Sequence, residues 1–167
     1  MEIVLLAPGP SMSQGLADSV RHEPVGVVGN CWELAPLALF LAANDRHWWM
    51  KYPEAKGFAG RKFSSNRMAG VEVLPGSRTV WNSGVLALTA AVHLGATRIR
   101  LYGFDMHGTH YFGPYTNGLR NTAPDRRQVH RQQYAQWARQ HRSIEVINCT
   151  PGSALGCFPF EQDSIAA

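Results

Sequence analysis

The stretch GFDMHGTHYFGPY, at residues 103–115, holds the densest group of side chains that could do chemistry. Its reactive members are Asp105, His107, His110 and Tyr111. They follow a predicted core strand, where a loop normally carries function rather than packing. Aspartate and histidine suit zinc or manganese, so one hypothesis is a metal-dependent hydrolase that uses Asp105, His107 and His110. In a second hypothesis the histidines and Tyr111 bind phosphate and Asp105 fixes the loop; the plain alternative is a turn-capping aspartate among surface histidines.

Two turns of small residues point to anion binding. In LLAPGPSMSQG, residues 5–15, Gly9 permits close backbone approach, and Ser11 offers a hydroxyl and an amide as a helix begins. WNSGVLAL repeats this pattern at the start of a second helix, with residues Asn82, Ser83 and Gly84. A helix N-terminus attracts anions through its dipole and free N–H groups. Both turns are predicted phosphate sites, and the alternative for each is a plain helix cap.

His130 is the candidate general base. It lies in the predicted amphipathic helix at residues 123–141, beside Arg126, Arg127 and Arg131. Positive neighbours lower the pKa of a histidine and keep it neutral near pH 7, as a general base requires. The alternative is an exposed histidine without a role.

Adjacent tryptophans in RHWWMKY, residues 46–52, add an aromatic feature. Trp48 and Trp49 cannot both face one core, so one ring is expected to stack on a base or a sugar, or to be a core ring that stays partly exposed. Together with the arginines, these rings also fit a nucleic-acid binder, a rival that would bind in a salt-dependent way.

These residues require a sheet to position them. Short apolar runs predict strands at residues 2–7, 24–30, 37–45, 71–74, 97–105 and 144–148, with helices at 82–96 and 123–141. Alternating strands and helices predict a three-layer, doubly wound, mostly parallel α/β sheet of Rossmann-like type. We expect a single domain over residues 1–160 and a C-terminal tail at 161–167. Because ligands bind beyond the carboxyl ends of such strands, where strand order reverses, the polar turns should converge there.

Composition narrows the class of protein. The 167 residues are 45% hydrophobic and 17% charged, which is typical of a globular domain. The net charge of +4 comes mainly from arginine, which suits phosphate recognition, although a mildly basic surface is the plain alternative. Three cysteines lack a C-x-x-C spacing, and no apolar run approaches the roughly 20 residues of a membrane helix. We therefore expect a cytoplasmic protein without a membrane span; exposed aromatic residues are compatible with a homo-oligomer.

Four stretches, APGPSMS, VVGN, NSGVLALTAAVHLGATRIRLYGFDM and IEVINCTPGSAL, resemble the sialyltransferase-like Rossmann proteins. This group includes bacterial lipooligosaccharide sialyltransferases, motility accessory factors and archaeal hydroxymethylpterin pyrophosphokinases, and its compact members resemble phage and prophage proteins. The resemblance implies a nucleotide or nucleotide-sugar ligand, no other certain cofactor and no resident metal. It implies a glycosyltransferase-like or pyrophosphokinase-like transferase, with a non-catalytic phage accessory protein as the alternative. A small nucleotide is expected as partner rather than nucleic acid.

The resemblance also assigns residues. Asn30 matches a nucleotide-sugar contact, Tyr111 lies near a tyrosine that binds the departing phosphate, and His107 replaces a second such tyrosine. His130 lies about one helical turn from the position of the catalytic histidine. Pro8 replaces an asparagine of the phosphate turn, and the chain is too short for the lid of the larger enzymes. The candidate site thus comprises catalytic residues His130, His107 and Tyr111 and nucleotide-binding residues Gly9, Pro10, Ser11, Asn30, Asn82, Ser83, Gly84 and Asp105.

Overall fold

Apolar, β-branched runs form the centre of a parallel sheet in the computed structural model, which describes residues 1–163. The strands are β1 (Glu2–Leu6), β2 (Val25–Val28), β3 (Phe40–Ala42), β4 (Arg61–Ser64), β5 (Glu72–Val73), β6 (Arg98–Tyr102) and β7 (Glu145–Asn148). Their order in space is β5-β4-β3-β2-β1-β6-β7, and each neighbouring pair is parallel. The helices are α1 (Gln14–Ser19), α2 (Arg46–Lys51), α3 (Ser83–His93) and α4 (Pro124–Gln140).

Successive side chains of β1 point to opposite faces of the sheet, and this shows how the layers form. Ile3 and Leu5 are fully buried in a cluster that includes α3 and α4, whereas Val4 and Leu6 are buried in a second cluster that includes α1 and α2. A strand that is apolar on both faces has helices on both faces. The predicted three-layer, doubly wound α/β fold is confirmed.

The least apolar strand was the one that sequence reasoning missed. Residues 61–64 begin with Arg61 and Lys62, whose charges hide the strand pattern, yet they pair in parallel with β3. The predicted strand at 37–45 is shorter than expected, because only Phe40–Ala42 joins the sheet.

The end of the chain packs against the sheet edge as far as it is described. The Glu161 amide donates to the Asn148 carbonyl oxygen. Asp163 accepts hydrogen bonds from the Arg100 guanidinium, at 2.7 Å from Nη1, and from the Tyr102 hydroxyl. Residues 164–167 of the predicted tail lie outside the described residues, and the boundary at 160 stays a prediction.

Two further features bear on the class of protein. Within residues 1–163, no helix has the length and hydropathy to cross a membrane. Cys31, Cys149 and Cys157 are free thiols.

Strand order reverses between β1 and β6, because β1 leads towards β2 on one side whereas β6 leads to β7 on the other. The helices that follow β1 and β6 therefore lie on opposite faces of the sheet, α1 in the second cluster and α4 in the first, and a crevice lies at the carboxyl edge between them. The start of α3 lies at the same edge, and its residues line the cavity found there.

Candidate functional site

A cavity of about 340 Å³ lies in this crevice. Its size falls within the range of roughly 300–1,000 Å³ that is usual for small-molecule sites. The members of the candidate set that line it are Gly9, Asn82, Ser83, Gly84, Asp105, His107 and His130, and Trp48 and His110 line it as well. Most of the candidate set is therefore gathered around one space.

The loops after β1 and β6 are bonded to each other at the cavity floor. The Gly9 amide donates to the Gly103 carbonyl oxygen at 3.0 Å, and a Cβ on Gly9 would lie 2.1 Å from Asp105 Oδ2. That oxygen accepts hydrogen bonds from the Ser11 hydroxyl at 2.8 Å and from the Ser11 amide at 3.3 Å. Ser11 is thus committed to Asp105, and neither Ser11 nor Pro10 lines the cavity.

The N-terminus of α3 forms one wall. Asn82 caps the helix, its Oδ1 accepting from the Gly84 amide at 2.8 Å, and the Tyr134 hydroxyl of α4 donates to the same oxygen at 3.3 Å. A Cβ on Gly84 would lie 1.8 Å from the Tyr134 hydroxyl, so this contact requires glycine. Burial raises the pKa of Tyr134, which keeps its hydroxyl protonated and able to donate.

Ser83 presents hydrogen-bond donors from this wall. Its Oγ accepts from the Asn44 amide at 3.0 Å, which leaves the hydroxyl hydrogen for another partner. Its amide is the first of the helix and has no intrahelical acceptor. The helix start therefore offers two donors at the positive end of the α3 dipole.

His130 faces the cavity from α4 and is half-buried. Its pKa is lowered, first by loss of solvent and second by the positive charge of Arg126. The shift has the predicted direction, but burial rather than arginine is its larger cause. The imidazole is neutral near pH 7 and can accept a proton.

The metal site of the alternative hydrolase hypothesis does not form. Asp105 is bonded to Ser11, exposed His107 places Nε2 3.2 Å from the Gly152 carbonyl oxygen, and His110 stacks on Phe112. Burial lowers the pKa of His110. In the part of the chain that the structure describes, no three His, Cys, Asp or Glu side chains are grouped to hold a metal ion.

Asn30 and Tyr111 lie behind the cavity wall instead of lining it. Asn30 is 3% exposed, and its Oδ1 accepts from Trp48 Nε1 at 2.9 Å and from the Tyr115 hydroxyl at 3.4 Å. The Tyr111 hydroxyl donates to the Asn30 carbonyl oxygen at 3.2 Å. Trp48 and Tyr115 do line the cavity, so Asn30 positions the wall.

The prediction that Trp48 and Trp49 cannot share one core, and that one ring is partly exposed, is wrong. Trp48 and Trp49 are 4% and 2% exposed and belong to the same core cluster. They pack edge to face with ring centroids 5.1 Å apart, a geometry that lets neighbouring rings share one core. An exposed tryptophan that lines the cavity is Trp81, which is 69% exposed.

Two arginines were missing from the predicted set. Arg120 and Arg127 line the cavity, and the Arg127 guanidinium also donates to the Gly108 carbonyl oxygen of the loop after β6. The only sequence signal for Arg127 was its place beside His130 in a basic helix. Arg120 lies in an irregular segment, where no periodic pattern indicates which way a side chain faces.

No protein-family model and no curated protein sequence matches the chain. Among solved structures, it is similar to the sialyltransferase CstII from Campylobacter jejuni in complex with a substrate analogue, cytidine-5'-monophosphate, with a TM-score of 0.52. The match covers 99% of this chain and 87% of that chain, at 13% sequence identity. The two chains share a fold.

This likeness confirms the predicted sialyltransferase-like, Rossmann-like architecture at the level of the fold. The resemblance to phage and prophage proteins stays a prediction.

Proposed function

We propose that this chain binds a nucleotide or nucleotide-sugar in the cavity beyond the carboxyl ends of β1 and β6 and transfers a glycosyl or phosphoryl group from it. One observation carries the proposal: the β1 turn, the α3 N-terminus and cations on and before α4 surround a single cavity at the strand-order reversal. The shared fold supports it, because the structurally similar sialyltransferase was solved with cytidine-5'-monophosphate.

In this proposal the phosphate lies against the start of α3. The Ser83 amide and hydroxyl donate to its oxygens, and Arg120 and Arg127 balance its charge. Gly9 and Asp105 shape the cavity floor. Trp48 and Tyr115 form the opposite wall, which Asn30 fixes from behind.

The proposed transfer uses His130 as the base. The neutral imidazole takes the proton from the acceptor oxygen, which forms a bond to the transferred carbon or phosphorus atom. The bond between that atom and the leaving phosphate oxygen breaks, and the phosphate keeps the electron pair. The Ser83 amide and hydroxyl stabilise the charge that develops on it. His107 is left out of this step, because its Nε2 donates to the Gly152 carbonyl oxygen and the other nitrogen of a neutral imidazole only accepts. Tyr111 is left out of this step because its hydroxyl is bonded to Asn30 behind the wall.

Ser83→Asp tests the binding site. A carboxylate in the first turn of α3 interacts favourably with the helix dipole, so the fold is retained, but it repels a bound phosphate. We expect cytidine 5′-monophosphate to bind at least tenfold more weakly by calorimetry. Ser13→Asp is the matched control, since Ser13 caps α1 and lies outside the cavity. If the two variants bound cytidine 5′-monophosphate with equal affinity, the phosphate would not lie at the start of α3.

The placement of Asn30 and Tyr111 favours a second candidate, binding without transfer. Two residues that the family likeness assigns to the nucleotide-sugar and its departing phosphate are engaged with each other. Turnover assays with nucleotide-sugars separate the two functions, since a binding-only protein would retain the nucleotide and release no product.

A further inference from the structure

A second, larger cavity adjoins the first at the carboxyl edge of the sheet. It has a volume of about 770 Å³ and lies between the ends of β3 and β4, the start of α2 and the N-terminal half of α4. Trp81, Ser83 and His130 line both cavities. The two spaces therefore meet at the proposed base and at the proposed phosphate position.

Three guanidinium groups line the second cavity, from Arg46, Arg120 and Arg126. The Arg46 guanidinium donates one hydrogen bond to the Arg67 carbonyl oxygen, at 3.2 Å. The guanidinium groups of Arg120 and Arg126 have no hydrogen bond or ion pair with any of residues 1–163.

Arginines at the amino edge of the sheet contrast with these. Arg61 pairs with Glu72, and Arg98 pairs with both Glu2 and Glu145. Arginines at the amino edge therefore have glutamate partners in ion pairs, whereas those of the second cavity form no ion pair within residues 1–163.

Two acidic residues of the second cavity lie at helix starts. Asp45 caps α2, with Oδ1 accepting from the His47 amide at 2.8 Å. Asp125 lies in the first turn of α4, where the helix dipole favours a carboxylate. His47 and His130 are the remaining titratable groups on the wall. Three arginines and two aspartates thus line this cavity, and the formal charge of its wall is positive by one.

Trp81 adds a surface for a ring. Its indole is 69% exposed and has no aromatic partner within the described residues 1–163. An exposed indole face beside hydrogen-bonding groups suits the apolar face of a sugar ring. Arginine binds carboxylate and phosphate oxygens with paired N–H donors.

We propose that the second cavity binds an acidic sugar, a ring that carries a carboxylate or a phosphate group. The anionic group is held by Arg46 and Arg126, and the ring lies on Trp81. Arg120 lines both cavities and faces the nucleotide phosphate in the proposed function. The role of the acidic sugar as acceptor of the transfer rests on the proposed function, since His130 then lies between donor and acceptor. Binding of the acidic sugar to the second cavity is independent of the proposed function.

Three sugars with the same ring test this site by calorimetry: glucose, glucuronate and glucose 6-phosphate. We expect wild-type protein to bind at least one of the two anionic sugars fivefold or more tightly than glucose, and the better of the two identifies the anionic group. The indole N–H resonance of Trp81 should shift on binding. In the double variant Arg46→Gln/Arg126→Gln the preference should fall at least fivefold. Arg139→Gln/Arg142→Gln is the matched control, because both arginines are exposed and lie outside the two cavities.

Binding of cytidine 5′-monophosphate to the same variants separates this inference from the proposed function. Arg46→Gln/Arg126→Gln should bind the nucleotide within twofold of wild type. Absence of nucleotide binding with retained preference for the acidic sugar would overturn the proposed function and leave the second site supported. Wild-type protein that binds anionic sugars no more tightly than glucose, or a double variant that keeps the preference, would overturn the second site.

Discussion

Gly9 is the residue on which the floor of the site depends. Its α-carbon lies so close to the loop after β6 that a Cβ would be 2.2 Å from the Gly103 carbonyl oxygen and 2.1 Å from Asp105 Oδ2. One of these atoms is backbone and the other is held by Ser11, so neither can move aside easily.

Gly9→Ala is therefore expected to lower the free energy of unfolding by about 1–3 kcal/mol, the usual cost of overpacking. Urea denaturation measures this change. Gly57→Ala is the control, because a Cβ there meets no atom within 4 Å, and we expect it to be neutral or slightly stabilising. Equal stability of the two variants would show that the loops part without cost.

His110 and His130 link stability to pH. Burial lowers the pKa of both imidazoles below the ordinary value of 6.5, so the folded protein binds fewer protons than the unfolded chain below that pH. Their contribution to stability is present above about pH 6.5 and is lost as the pH falls through the folded pKa values.

We expect the free energy of unfolding to decrease between pH 6.5 and pH 5, and His110→Gln/His130→Gln to make that decrease shallower. Denaturation curves at several pH values measure the slope. An unchanged slope in the double variant would mean that the two imidazoles are not desolvated in the fold.

At the residue scale, the sequence predicted which side chains cluster better than what each one contacts. Gly9, Ser83 and His130 could be named because each lies at a recognisable turn or helix position. The hydrogen bond of Ser11 to Asp105 could not be predicted, since the two residues are 94 positions apart along the chain. Asn30 was misplaced for the same reason: its partners Trp48 and Tyr115 come from separate segments.

Helix α3 is the element that carries the site. Three hydrogen bonds hold its start. The Asn82 side chain accepts from the Gly84 amide and from the Tyr134 hydroxyl of α4, and the Asn44 amide, after β3, donates to the Ser83 hydroxyl. A helix start held from three sides keeps its free donors in place for a ligand.

Asn82→Ala should lower the free energy of unfolding by about 0.5–2 kcal/mol, the usual cost of removing an N-cap. Asn82→Asp should restore the cap and most of the stability, because a carboxylate accepts the same hydrogen bonds. It should still weaken nucleotide binding, since it brings negative charge to the cavity wall. Denaturation and calorimetry on both variants measure the two effects, and an Asn82→Asp variant that binds the nucleotide normally would place the phosphate elsewhere.

The success of prediction also differed among elements. Strand β1 and helix α3 were predicted because an unbroken apolar run and a capped, alanine-rich stretch have strong patterns. Strand β4 was missed because Arg61 and Lys62 occupy half of it and it gains its place from pairing with β3. Pairing between strands is not encoded by a local pattern.

At the scale of the whole molecule, arginines in ion pairs and arginines without them lie at opposite edges of the sheet. Arg61 and Arg98 are neutralised by glutamates at the amino edge, whereas Arg120 and Arg126 face open cavities at the carboxyl edge. This polarity follows from a parallel sheet, in which every strand delivers its exit loop to the same side. The order of the strands determines where strand order reverses and where the cavity opens. Alternating strands and helices in the sequence indicate such a fold but do not give that order. Cytoplasmic location and assembly into a homo-oligomer stay predictions at this scale.

The central claim is that a nucleotide phosphate lies at the start of α3, and residue-level NMR titration with cytidine, uridine, adenosine and guanosine 5′-monophosphates tests it most directly. For at least one nucleotide, we expect the largest amide shifts at Gly9, Ser83, Gly84 and Gly108, at the cavity beyond the carboxyl ends of β1 and β6. Saturation with no shift at these amides, or shifts confined to the amino edge around Thr97 and Glu145, would contradict the account.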